Sequence, residues 1–130
     1  MRCVRALRGA TQCLNEESDI ILQVLALYDE LLKQNNLSES DIISLTFSMT
    51  RDLDIKNPAS ILRQSGRALD LALFVVQEAE VKDSLERVVR TLLHCYLEES
   101  ATLFHIYRNG AEILRPDRVA KPIYTNISAC

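Results

Sequence analysis

Hydrophobic positions along this chain follow two rhythms, one of period two and one of period three to four, and their order predicts the elements. Residues 2 to 9 alternate as a strand does, with Cys3, Arg5 and Leu7 on one face and Val4, Ala6 and Arg8 on the other. Gly9-Ala10-Thr11 is expected to break this strand and to leave Arg8 at its end, beside a glycine that permits close approach. From 16 to 34 the period lengthens. Ile21, Val24, Leu25, Tyr28, Leu31 and Leu32 fall on one helical stripe, with Asn15 as cap, Glu16 and Glu17 in the first turn and Asn35-Asn36 as the stop. Alternation returns at 42 to 49, where Ile43, Leu45, Phe47 and Met49 oppose Ser44, Thr46 and Ser48 in a half-buried strand. Asn57-Pro58 then opens a short helix, Asn57 capping it, and Ser65-Gly66 closes it.

The next run, Leu69 to Val76, is almost continuously apolar and suits a strand buried on both faces. Residues 85 to 96 fit two patterns. Leu85, Val88, Val89, Leu92, Leu93 and Tyr96 have helical spacing behind a possible Asp83-Ser84 cap; as a strand, Val88, Arg90, Leu92 and His94 share a face. Periodicity alone slightly favours the helix. Residues 102 to 108 read as a strand with Leu103, His105 and Tyr107 facing one way. Asn109-Gly110 is a hairpin turn signal, because both central positions need positive φ, so Ala111 to Arg115 is expected to return as a short strand. From Arg118 the periodicity fades.

These elements predict an α+β domain over residues 1–118, with 119–130 as a flexible tail. With 85 to 96 counted as a strand, the expectation is a mixed five-stranded β-sheet packed on one long and one short helix. The helices cover one sheet face only, so self-association is expected to cover the other.

At 130 residues and 48% hydrophobic, the chain suits one ordinary globular core. A net charge of −3 argues against a general nucleic-acid binder. No run is long enough to span a bilayer. The four cysteines, Cys3, Cys13, Cys95 and Cys130, lack metal-ligand spacing, and the N-terminus has no signal-peptide core. Reduced thiols, no metal, and a cytoplasmic or organelle-stromal location are therefore expected.

Charge placement is more informative than charge total. Eleven of the fifteen basic residues are arginines, whose planar fork grips carboxylates. Glu78 ends one apolar run, Arg90 lies inside the next, and Arg8, Arg63 and Arg115 lie in or beside others. Charges enter apolar segments when paired or put to use. Either a structural ion pair or an anion pocket meets that condition. The histidines, His94 and His105, read as core or interface residues rather than catalytic ones.

Several motifs recur in a definite order: Arg5-Ala6-Leu7-Arg8-Gly9-Ala10-Thr11, Phe47-Ser48-Met49-Thr50-Arg51-Asp52-Leu53, Pro58-Ala59 with Arg63, Gln77-Glu78, Arg87-Val88-Val89-Arg90, and Tyr107 followed by Ile113-Leu114-Arg115-Pro116-Asp117. The ordered set resembles the monofunctional chorismate mutases of the small trimeric α/β type. The resemblance favours a strand at 85 to 96. It implies a homotrimer, a pseudo-α/β barrel with active sites in clefts between subunits. It implies conversion of chorismate to prephenate, toward phenylalanine and tyrosine, with no cofactor.

The same resemblance assigns roles. Arg90 would stabilise the breaking ether oxygen, and Glu78 would orient it and accept a hydrogen bond from the substrate hydroxyl. Arg8 and Tyr107 would bind a carboxylate, Leu114 and Arg115 would close the pocket, and Arg63 would stand at its mouth. Phe74, Val75, Val76 and Gln77 would line the wall, and Asn57, Ala59 and Ser60 the rim. Three positions depart from the family pattern: Asn57 replaces an aromatic, Ser60 a lysine and Val75 a cysteine. They predict weaker substrate binding with the chemistry kept, and they motivate an alternative, a trimeric anion-binding module with little turnover.

Overall fold

The structure, a computed structural model, describes residues 1–115 and the strand at 122–123. Its elements are β1 (Arg2–Gln12), α1 (Glu17–Gln34), β2 (Ile42–Met49), α2 (Pro58–Gln64), β3 (Ala72–Gln77), β4 (Val88–Glu98), β5 (Leu103–Phe104), β6 (Ile106–Arg108) and β7 (Pro122–Ile123). Five strands form one mixed sheet in the order β3-β2-β4-β1-β6. The central β4 runs antiparallel to β1 and β2, while β3 and β6 lie parallel to their neighbours at the edges. The predicted mixed five-stranded sheet with one long and one short helix is what forms.

The main core lies between the sheet and the helices. Leu7, Leu45, Phe47, Val89 and Leu93 from the strands meet Ile20, Val24, Leu27, Tyr28 and Leu31 from α1 and Ile61 and Leu62 from α2. The α1 stripe is turned by about one position from the expected one: Ile20 and Leu27 are fully buried, while Ile21, Leu25 and Leu32 are only partly so. Asn15 does not cap α1, since Glu16 holds that position and Asn15 bonds Asp54 instead. At α2 the expectation holds, because the Asn57 side chain accepts from the N–H groups of Ala59 (2.9 Å) and Ser60 (3.3 Å).

Gly9 does not end β1. It pairs with Thr91 on one side and Ile106 on the other. A Cβ there would stand 2.9 Å from Leu27 Cδ1 and 3.0 Å from the Ile106 carbonyl oxygen. The glycine thus lets α1 press onto an unbroken strand, and Arg8 sits well inside β1 rather than at its end.

Other departures have local causes. A bulge between Ile42 and Ser44 puts Ile42 in the core and turns Ile43 outward, so Ile43 leaves the face shared by Leu45 and Phe47. The 69–76 run is not doubly buried: β3 is a sheet edge, with Leu73 and Val75 packed inward and Phe74 and Val76 exposed. The 102–108 stretch breaks at His105, whose Nδ1 accepts from the backbone N–H of Arg8 at 2.8 Å. Asn109 and Gly110 do take positive φ (53° and 103°), but Ala111–Leu114 follows as a 3-10 turn rather than a return strand. Ala111 is fully buried with Ala10 and Val88, which draws the chain over the sheet's second face.

Leu103–Phe104 pairs instead with Pro122–Ile123, so part of the expected tail is strand; the remainder of 116–130 lies outside the described residues. Cys13 and Cys95 are free and buried, whereas Cys3 is disulfide-bonded, contrary to the expectation of reduced thiols throughout. Among the described residues no helix is long and apolar enough to cross a membrane.

Candidate active site

Strand register lays out the second face of the sheet in rows. Directly paired residues point the same way, so Val76, Ser48, Arg90, Ala10 and Tyr107 form one row across five strands. Phe74, Thr46, Leu92 and Arg8 form the next. Arg8 and Arg90 are therefore near neighbours on adjacent strands. With Thr46, Ser48, Thr91 and Leu92 they line an open cavity of about 200 Å³.

Glu78 follows β3 directly, and its backbone N–H donates to the Met49 carbonyl at 2.8 Å. Its Oε1 lies 2.6 Å from Arg90 Nε and 3.4 Å from Ser48 Oγ. The Arg90–Glu78 contact is an ion pair in which the Nε–H falls short of hydrogen-bond alignment. The carboxylate is the more buried partner, its side chain 14% exposed against 42% for the guanidinium. Arg90 thus keeps part of its fork open to the cavity, while Glu78 is largely committed. Among the described residues, the Arg8 side chain has neither a hydrogen-bond nor an ion-pair partner.

Tyr107 and Leu114 pack with Leu85 against Ala10, Val88 and Ala111, forming a small apolar cluster at the Arg90 end of the face. Arg115 closes the 3-10 turn immediately after Leu114. The fold therefore brings Arg8, Arg90, Glu78, Tyr107 and Leu114 to one end of the open face. It does not bring the α2 residues there. Asn57, Ala59, Ser60 and Arg63 belong to α2 or its cap, Ala59 is buried, and none lines the cavity. Phe74 and Val76 face the open side from the β3 edge, whereas Val75 packs on the core side.

Thr46 and Ser48 line the cavity although nothing in the sequence singled them out beyond the polar face of their strand. The signal was present: once 85–96 is a strand antiparallel to 42–49, their polar face meets Arg90. His105 does the structural work expected of a buried histidine.

A larger cavity, about 300 Å³, is lined by Gln12, Cys13, Leu14, Asp19, Gln23, Arg87 and Asn109. Its charges are already engaged. Arg87 donates to the Cys13 carbonyl and pairs with Glu86, and Asp19 accepts from Leu14 N–H and Gln23. Burial, with Asp19 adding to it, pushes the Cys13 thiol up to about 12, and burial pushes Cys95 up to about 11. Neither is a thiolate near neutrality, so neither is a ready nucleophile.

An α+β sheet that brings two arginines and a carboxylate together on its open face has the chemistry to receive an anion. The family model described as chorismate mutase type I matches residues 4–118. Among solved structures, the chorismate mutase from Clostridium thermocellum superimposes with a TM-score of 0.75 at 34% identity, covering 84% of this chain and 98% of that one. A comparison with curated proteins finds no match. The chain belongs to the chorismate mutase type I family. It is an isomerase, and its substrate is chorismate.

Proposed function

We propose that the chain works as a homotrimer whose active sites form between neighbouring copies, each holding the chorismate dianion folded while it rearranges to prephenate. The observation that carries this reading is the division of the arginines. Arg8 and Arg90 share a cavity on the uncovered face, while Arg63 stands on α2 outside it. Phe74, Val76, Leu92, Tyr96 and Val4 are all exposed on that face, at 66%, 40%, 38%, 46% and 54%. A second copy laid there would bury this apolar surface and bring its own α2 and β3 residues to the cavity rim. Residues 1–118 form the catalytic unit in this reading, which works in the cytosol or an organelle stroma.

The reaction breaks a C–O bond and makes a C–C bond within one molecule. It needs no nucleophile, proton transfer, metal or cofactor. Two contributions remain for the protein. One is restraint: Arg8 and Tyr107 on one carboxylate, with Arg63 and Arg115 at the mouth, hold the reactive shape. The wall comes from the backbone groups of Phe74, Val75, Val76 and Gln77, and the rim from Asn57, Ala59, Ser60 and Leu114. The other is electrostatic. As the ether bond lengthens, negative charge grows on its oxygen, and a fixed cation gains attraction toward the transition state. Arg90 fills that role, because Glu78 holds its Nε and leaves the terminal amino groups for substrate.

A rate enhancement of about 10⁶-fold corresponds to about 8 kcal/mol. One desolvated donor supplies about 3–4 kcal/mol, so Arg90 carries a large share without carrying all of it. Arg90→Lys keeps the charge and loses the fork. Its kcat, read from loss of chorismate and appearance of prephenate, is expected to fall by about a hundredfold or more. A fall of less than about threefold would remove Arg90 from the ether oxygen.

A further inference from the structure

The turn after β2 is bonded to Glu78 on one side and, on the other, to Arg87 and Val88, which lead into the strand that carries Arg90. Met49 carbonyl accepts from Glu78 N–H at 2.8 Å. One residue on, Thr50 N–H donates to Val88 carbonyl at 3.1 Å, and Thr50 Oγ1 accepts from Val88 N–H at 2.9 Å. Two residues further, both Asp52 carboxylate oxygens accept from Arg87 N–H, at 3.1 and 3.0 Å. Thr50 Oγ1 also donates to Asp52, and Leu53, 4% exposed, anchors the turn in the core. The excursion from Glu78 to Arg87 thus leaves and re-enters the sheet through a single clip.

Arg87 has a φ of 51°, a left-handed conformation that a non-glycine residue adopts only when held there. Asp52 supplies the hold at its N–H, and Arg87 Nε adds a bond to the Cys13 carbonyl at 3.0 Å. The direction in which β4 enters the sheet follows from that turn, and Arg90 lies three residues beyond it. Return of Arg87 to negative φ would re-aim Val88, Val89 and Arg90 relative to Glu78, whose own N–H stays fixed on Met49.

We infer that Asp52, seconded by Thr50, is a positioning residue for the reaction. It touches no substrate, but by holding Arg87 left-handed it sets where the Arg90 guanidinium stands against Glu78. The inference rests on the reading of Arg90 and Glu78 as the catalytic pair.

The test is a double-mutant cycle between Asp52→Ala and Arg87→Gly, measured as kcat and KM for chorismate with Arg90→Lys assayed alongside. Misplacing a catalytic group by about 1 Å can cost up to about a hundredfold, and a partial shift is expected here, so Asp52→Ala should lower kcat by about tenfold. KM should change by less than about twofold, since the carboxylate-binding residues are not attached to this turn. Glycine takes positive φ without cost, so in the Arg87→Gly background Asp52→Ala should lower kcat by less than about twofold. An equal loss in both backgrounds, or a lower melting temperature with kcat unchanged, overturns the inference. Should Asp52→Ala not fold, Asp52→Asn retains the shape and one acceptor; a smaller fall in kcat is expected, and an unchanged kcat overturns the inference. If Arg90→Lys is crippled while the Asp52 variants are not, only the positioning role fails. If Arg90→Lys keeps its activity, the active-site reading fails first.

Discussion

At the residue scale, Arg90 and Glu78 show how a charge is kept inside an apolar strand. Arg90 faces the uncovered side of the sheet, between the small Ala10 and the hydroxyl of Ser48, so neither neighbour blocks its fork. Glu78 is the more deeply buried of the two and leans on Arg90 and Ser48. Residue types along the chain placed each charge in an apolar segment and the resemblance paired them, but neither gave the support, because Ser48 looks like any polar residue of an alternating strand until the register with β4 is known. The buried thiols carry a different consequence. Cys13 and Cys95 lie above the ordinary thiol value of 9.0, at about 12 and about 11, because burial disfavours the thiolate. In the unfolded chain they ionise first. The folded state then binds more protons than the unfolded state above pH 9, so stability falls as pH rises through that window. Each thiol should cost about 1 kcal/mol by about pH 10. Urea midpoints at pH 8 and 10 measure this, and a Cys13→Ala/Cys95→Ala chain should lose less over the same interval; an identical loss would assign the effect elsewhere.

At the element scale, α2 is legible from its ends alone. Asn57-Pro58 opens it and Gly66, with φ of 86°, closes it. The cap also explains one departure from the family pattern, since Asn57 gives α2 two backbone hydrogen bonds that an aromatic side chain cannot make. In the proposed trimer, where α2 of a neighbouring copy forms the rim, stability and substrate contact oppose each other at this position. Asn57→Phe should lower KM by restoring an apolar wall, while the lost cap costs about 1 kcal/mol of stability. Kinetics and thermal melts on that one variant check both; a KM that stays or rises would take position 57 out of the site. β4 was the ambiguous element, because an 11-residue strand at the sheet centre, apolar on its core face and partly apolar on its open face, mimics helical spacing. Its neighbours, not its own pattern, make it a strand. The Ile42/Ser44 bulge, the break at His105 and the 3-10 turn at Ala111 escaped the sequence for the same reason: each is set by a contact with a distant strand or helix.

On the scale of the whole molecule, one sheet face packs on two helices, and among the described residues the other is left exposed over much of its area. The count of elements anticipated this once 85–96 is taken as a strand, since two helices cover one face of five strands. Which cations share a cavity was not legible, because it depends on register between segments far apart in sequence: Arg8 reaches Arg90 only through the β1–β4 pairing of Leu92 with Arg8 and Arg90 with Ala10. A complete site in the proposed trimer needs two copies, one giving Arg8, Arg90 and Glu78, the other α2 with Arg63. Mixing two defective chains tests it most directly. Arg90→Ala and Arg63→Glu proteins, each weak alone, are unfolded together and refolded into mixed trimers, with assembly mass checked by light scattering. In random mixtures about a quarter of the sites pair an intact Arg90 from one chain with an intact Arg63 from its neighbour, so activity should rise to about a quarter of that of the unaltered protein. Mixed trimers with no more activity than the average of the two parents would show that each site lies within one chain, against the account.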